Sequence, residues 1–261
     1  MVTNPFTGAD VAARYAVARP ALHREAVALL AERRIKVERA VDIGCGTGMS
    51  TRALIAVAGF VVGVDISKDM LRRADTASGT DLVEASAERL PFADASFGLA
   101  TFASAIHWFA PPGLREARRV LTDDGALFIY DVWFRAEMVD APGFGDWLSR
   151  ESEARYPPVP KHPRPDLAAI GFEPEWEEDL RLDISMSSGE LVAYLMTHSE
   201  RIAAVRRGQE SEEEQRALLL EGVDRFYQSD ERRDLGFGIK SEMFSCVPNA
   251  QGSSRTGRGR G

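Results

Sequence analysis

Three glycines separated by single residues, Gly44, Gly46 and Gly48, lie between a short apolar run and an amphipathic stretch. The apolar run, Ala40-Val41-Asp42-Ile43, reads as a buried strand, and Met49 to Val57 follows with helical spacing. So tight a passage from strand to helix needs residues without a Cβ, which also lets backbone approach a ligand closely. The helix start behind the turn offers free N–H groups and the positive end of its dipole. Asp65 comes 21 positions after Gly44, at the end of a second apolar run from Phe60 to Val64. An acid placed there can accept both hydroxyls of a ribose. Together these residues predict a nucleoside-cofactor site at the carboxyl ends of a parallel sheet.

The rest of the chain supports such a sheet. Strands are expected at Asp81 to Ala85, Phe97 to Ala103 and Ala126 to Tyr130, with helices at Lys68 to Ala77 and Leu114 to Leu121. Ser67 is placed to cap the first of these helices, with Asp69 in its first turn. Strands alternating with helices predict a doubly wound, mostly parallel sheet. Two more strands, Trp176 to Ile184 and Phe237 to Val247, bring the count to seven. Glu190 to Arg207 and Glu212 to Tyr227 read as helices. Ahead of the sheet stand a helix, Ala21 to Arg34, and an arm, Phe6 to Arg19. The expected organisation is an arm and helix over 1–36, a sheet domain over 37–249 and a disordered tail over 250–261. Within that domain, a cap insertion is expected around 132–170 and helices over 190–228.

Charge and composition remove several classes. The 261 residues carry 40 Asp and Glu against 32 Lys and Arg, a net charge of −8, which disfavours a nucleic acid as the main partner. No apolar run approaches the roughly 20 residues of a membrane helix, and the first ten residues do not read as a secretory signal. The two cysteines, Cys45 and Cys246, make no disulfide scaffold and no zinc spacing. A cytoplasmic protein without a metal is the expectation, and the sequence says nothing about oligomeric state.

The glycine spacing also separates cofactors. A dinucleotide fingerprint needs glycine at 49, where this chain has Met49. An acid two residues before the first glycine, Asp42, suits a cationic amino group and would repel a pyrophosphate. Val41-Asp42-Ile43-Gly44-Cys45-Gly46-Thr47-Gly48 resembles the first motif of class I S-adenosylmethionine-dependent methyltransferases. Val62-Gly63-Val64-Asp65-Ile66-Ser67 resembles their ribose motif, Ser86-Ala87-Glu88-Arg89-Leu90-Pro91-Phe92 their third-strand motif, and Arg119 to Gly125 the turn before strand five. Two departures stand out. Ser86 replaces the acid that binds the adenine amino group in many relatives, and Asp123-Asp124 replaces Pro-Gly.

A narrower resemblance is to the subgroup similar to trans-aconitate methyltransferase, which includes many type-11 small-molecule enzymes. It rests on the arm Tyr15 to Pro20 and on His107-Trp108-Phe109. The resemblance implies S-adenosylmethionine as cofactor, held by Tyr15, Arg19, Asp42, Gly44, Gly46, Gly48, Asp65, Ile66, Met70, Ser86, Ala87, Glu88, Ala103 and Ser104. It implies a small-molecule substrate contacted by His107, Trp108, Trp133 and Phe134, with methyl transfer to an oxygen of a carboxylate or hydroxyl. His107 can act as a general base or position the substrate, and the sequence leans toward positioning. Trp133, Phe134, Phe144, Trp147 and Tyr156 suggest an aromatic lid, and Arg135, Arg150 and Arg155 are candidates for a substrate carboxylate. His23 is expected in solvent, His162 in a loop, and His198 is a weaker candidate for the substrate side. The competing readings are an RNA or other nucleic-acid methyltransferase and a cofactor-binding protein without methyl transfer. Met49 argues against a nicotinamide oxidoreductase.

Overall fold

The computed structural model describes residues 4–228 and 231–247. The tail expected at 250–261 lies outside the described residues. Seven strands form one sheet: β1 (Val37–Ile43), β2 (Ala58–Asp65), β3 (Thr80–Glu84), β4 (Phe97–Ala103), β5 (Leu121–Met138), β6 (Phe172–Ser187) and β7 (Arg232–Cys246). Their order is β3-β2-β1-β4-β5-β7-β6. The first five strands run parallel, and β7 enters antiparallel between β5 and β6. The doubly wound, mostly parallel sheet is as expected.

Side chains alternate between the two faces of a strand, and here the two faces feed separate cores. Ala40, Val61, Leu99, Phe128 and Tyr130 pack on one side with Leu22, Ala26 and Leu54. Val41, Ile43, Val62, Val64, Phe102 and Ile129 pack on the other with Leu114 and Ala117. Burial on both faces explains why the central strands read as continuous apolar runs.

Nine helices accompany the sheet among the described residues: α1 (Ala9–Ala18), α2 (His23–Glu32), α3 (Met49–Leu54), α4 (Lys68–Leu71), α5 (Pro111–Val120), α6 (Phe144–Trp147), α7 (Ser188–Leu195), α8 (Ser199–Arg206) and α9 (Glu212–Val223). Ser67 caps α4 as expected, accepting the Met70 N–H at 3.4 Å. Ser187 and Ser211 start α7 and α9 with capping boxes closed by Glu190 and Glu214.

Three departures from the sequence reading matter for the site. The arm is mostly helical, as α1. The single helix expected from Glu190 to Arg207 is broken: the Thr197 hydroxyl donates to the Tyr194 carbonyl at 2.6 Å. His198 then turns extended as the N-cap of α8. Finally, residues 132–138, expected in an irregular cap, continue β5. They pair with β7 as Val132↔Ile239, Trp133↔Gly238 and Phe134↔Phe237. A partner strand some hundred residues away decides that extension, so no local signal announces it. Phe144 and Trp147, expected in a lid, are buried against Phe226 in the core.

Candidate active site

The strand order reverses between β1 and β4, so the carboxyl ends of these strands diverge into a crevice. There the chain leaves Ile43 through Gly44, Gly46 and Gly48, all left-handed, with φ +77, +54 and +75. At Gly44 a side chain is excluded twice, since an added Cβ would lie 2.8 Å from Phe109 and 2.9 Å from Ala105. The turn is tied to the end of β2: Gly44 and Cys45 donate to the Val64 carbonyl at 2.8 and 3.0 Å. Asp65 accepts the Gly46 N–H on one carboxylate oxygen and the Ser67 N–H on the other, both at 2.8 Å.

Asp42 and Gly48, expected to touch cofactor, do not line the crevice. Asp42 is fully buried beneath it, and one carboxylate oxygen accepts the Ser50 and Thr51 hydroxyls at 2.6 and 2.7 Å. Its other oxygen has no partner. Burial pushes the carboxyl up to about 6, against the pull of those hydroxyls. Asp42 thus braces α3 against β1, and Gly48 is the N-cap residue of α3.

The crevice opens into a cavity of about 560 Å³, a size ordinary for a small-molecule site. Every other residue that the resemblance implies at the cofactor, together with His107, Trp108, Trp133 and Phe134, lines it. Gly44, Gly46, Asp65, Ile66 and Met70 stand at one end, with Ser86, Ala87 and Glu88 beyond β3. Ile66 is 61% exposed, an apolar wall without cover. The Ser86 hydroxyl donates to the Glu88 carboxylate, so a carboxylate stands beside the position where the serine departs from the family pattern. Ala103 ends β4 at the other end, Ser104, His107 and Trp108 follow it, and Trp133 and Phe134 reach in from β5.

The arm brings Tyr15 and Arg19 over the cavity. The Arg19 guanidinium lies 4.9 Å from the Tyr15 ring and 5.2 Å from the Tyr194 ring. One of its nitrogens donates to the Thr197 carbonyl at 3.1 Å, and Nε is buried without a partner. A planar cation with an unused donor suits a carboxylate. The three arginines expected to meet a substrate carboxylate lie elsewhere. Arg135 pairs with Glu137, Arg150 with Asp146 and Arg155 with Glu210, and none lines the cavity. Lys161, from the proline-rich segment, is the cation that sequence reading missed.

Three of the four histidines reach the cavity. His107 sits on the one-turn helix Ile106–Trp108, its Nδ1 3.9 Å from Asp131 Oδ1. Burial, reinforced by Lys161, pushes its ring down to about 4, while Glu200 pulls the other way. His198, delivered by the break between α7 and α8, is pushed down to about 3 by burial and by Arg19. His23, expected in solvent, instead lines the cavity, its Nδ1 2.8 Å from the Tyr130 hydroxyl. Nothing in its local sequence separates it from a surface histidine at a helix start.

Residues 41–129 match the family model of a methyltransferase domain. Over that stretch the chain is similar to methyltransferase domains. Over 102 residues it is 34% identical to a malonyl-[acyl-carrier protein] O-methyltransferase of Legionella pneumophila, covering 36% of each chain. Over 94 residues it is 38% identical to a demethylmenaquinone methyltransferase of Corynebacterium kroppenstedtii, covering 35% of this chain and 41% of that one. The chain therefore spans well under half the length of these two relatives. A solved structure from Anaeromyxobacter dehalogenans, provisionally named a Type II methyltransferase, shares the fold. It has a TM-score of 0.64 and 21% identity, over 81% of this chain and 91% of that one.

Proposed function

We propose that this protein transfers a methyl group from S-adenosylmethionine to an oxygen of a small molecule. The observation that carries this is one continuous cavity running from the Asp65 carboxylate, past Arg19, to His107. The residues present fit the cofactor. Asp65 would take the ribose hydroxyls, Ile66 and Met70 the adenine faces, and Ser86 with Glu88 the adenine edge. Ala87, Ala103 and Ser104 would complete the wall, and the spare Nε–H of Arg19, with Tyr15 beside it, would take the methionine carboxylate. When bound, the cofactor supplies an electrophilic methyl group on a sulfonium.

The chain's own contribution is alignment and exclusion of water. Trp108, wedged against Phe6 at 5.7 Å between ring centres, offers an aromatic face at the end where His107 stands, favourable near a cation. Trp133 and Phe134 would wall the acceptor. The oxygen acceptor is supported by the name of the Legionella relative, and the arm from Tyr15 to Pro20 favours the trans-aconitate-like subgroup.

Calorimetry with S-adenosylhomocysteine and with NAD tests the cofactor assignment. Binding of the first and none of the second is expected, and the reverse result refutes it. Turnover with labelled S-adenosylmethionine against small hydroxyl and carboxyl acceptors, with RNA in parallel, then tests the acceptor class. Methylation of RNA alone would replace the small-molecule reading.

A further inference from the structure

We propose that Asp131 and His107 form a proton-accepting pair, in which Asp131 positions the ring so that Nε2 takes the proton of a hydroxyl-bearing acceptor. This rests on the methyl-transfer reading and narrows it to acceptors that arrive protonated: an alcohol or phenol, and not a carboxylate.

The two side chains come from different strands, yet their relative placement is held rigidly. Ser104, the first residue past β4, is left-handed at φ +51. Its N–H donates to the Tyr130 carbonyl at 2.7 Å, and its hydroxyl accepts the Val132 N–H at 2.9 Å. Ser104 therefore clamps the end of β4 to the two residues that flank Asp131. A non-glycine residue held in this conformation is strained, and such strain persists where the surroundings enforce it. On the far side, the His107 carbonyl accepts the His162 N–H at 2.9 Å, and the Trp108 N–H donates to Ala105 at 2.9 Å. Asp131 is fixed by its register opposite Lys240.

With Nδ1 facing Asp131 at 3.9 Å, Nε2 is the ring nitrogen left for a ligand. The separation is about an ångström longer than a hydrogen bond, and such contacts commonly tighten only when a ligand fills the site. The charged groups around the ring come from three segments. Lys161, in the proline-rich segment, opposes charge on the imidazole, while Glu200 on α8 favours it, and Asp131 on β5 stands at Nδ1. His198 beside them is neutral at neutral pH. The ring therefore rests neutral, able to accept a proton, with a carboxylate behind it to stabilise the imidazolium that forms.

The step balances. The acceptor's O–H proton moves to Nε2, its oxygen bonds to the methyl carbon, and the carbon–sulfur bond breaks with its electron pair remaining on sulfur. A carboxylate acceptor is already ionised and has no use for the pair.

Nitrogen-15 NMR of the histidine rings at pH 7.5 tests this on the full chain, with and without S-adenosylhomocysteine. His107→Gln identifies the signal. The wild-type ring is expected mainly as the Nδ1–H tautomer. Asp131→Ala should move the tautomer ratio at least about tenfold toward Nε2–H, the lower worth of a hydrogen bond to a charged group. Asp131→Glu should restore it. A wild-type ring in the Nε2–H form, or a ratio indifferent to Asp131→Ala, overturns the pair, and the wild-type result stands even if the variant does not fold. Calorimetry separates the two levels: S-adenosylhomocysteine binding without a tautomer effect removes only the pair, whereas no binding removes the methyl-transfer reading. Among paired acceptors, methylation confined to carboxylates overturns the substrate class.

Discussion

The buried Asp42 makes a quantitative demand on how stability varies with pH. In the native chain its carboxyl is pushed from 3.8 up to about 6. Between those values the folded state holds a proton that the unfolded state has released. Stability therefore falls as pH rises through this window, and the full cost of the buried carboxylate is present above about pH 6. A displacement of two units corresponds to roughly 3 kcal/mol over its whole span. Between pH 7.5 and pH 4.5, most of that range, wild type should recover about 2 kcal/mol from this group alone.

Asp42→Asn removes the titration and keeps the shape. The amide oxygen can still accept from Ser50 and Thr51, while its NH2 takes the place of the oxygen that has no partner. A buried donor left unpaired costs about 1–3 kcal/mol, but that cost does not vary with pH. Urea unfolding of both proteins, followed by tryptophan fluorescence, isolates the term of interest. The stability difference between variant and wild type should move by about 2 kcal/mol in wild type's favour on going from pH 7.5 to pH 4.5. A difference that stays constant across that range would show that Asp42 is not held above its ordinary range, and would refute its placement as a dry brace beneath the turn.

Three further outcomes are expected. Asp65→Ala should weaken S-adenosylhomocysteine about tenfold to a hundredfold by calorimetry, the worth of a hydrogen bond to a charged group; unchanged affinity in a folded variant removes Asp65 from the ribose. Arg19→Ala should weaken S-adenosylhomocysteine by about tenfold or more and leave methylthioadenosine, which lacks the amino-acid end, unaffected; equal losses on both ligands would mean that Arg19 merely shapes the arm. Gly222→Ala should lower stability by about 1–3 kcal/mol, because its Cβ would lie 2.1 Å from the Trp147 ring, while cofactor affinity stays the same; a variant as stable as wild type would refute the close contact of α9 with Trp147.

The cofactor end was legible because its signals are local. Glycines at alternate positions, an acid closing the next strand and Ser67 as a cap are all set by backbone geometry within a few residues. Even there, the sequence cannot tell a residue that faces the ligand from one a layer below. Asp42 and Gly48 share the motif with Gly44 and Gly46, but the alternation of the strand and the start of α3 turn them inward. The acceptor end was harder to read because pairing across long separations makes it. Trp133 reaches the cavity on a strand extension that β7 stabilises, its ring packed over Gly238, where an added Cβ would lie 2.4 Å away. His23 faces the cavity because Tyr130, more than a hundred residues later, offers it a hydroxyl. Lys161 arrives on a proline-rich segment that a single hydrogen bond from His162 pins to His107.

This difference in construction separates what the two ends can change independently. The family match, 41–129, contains the glycine turn, Asp65 and the Ser86-to-Glu88 segment. Arg19, Asp131, Lys161, His198 and Glu200 all lie outside it: Asp131 on β5 within the sheet, and the other four on the arm, the proline-rich segment and the start of α8. Substitutions among them alter the charge and shape of one half of the cavity without passing through the buried strands that set the turn. Ala103, Ser104, His107 and Trp108 are exceptions, being inside the match and at the acceptor end. Ser104 holds β4 to β5 around Asp131, so the rigid half of the site fixes where a proton can be accepted. The segments outside the match then set which molecule is brought to that point.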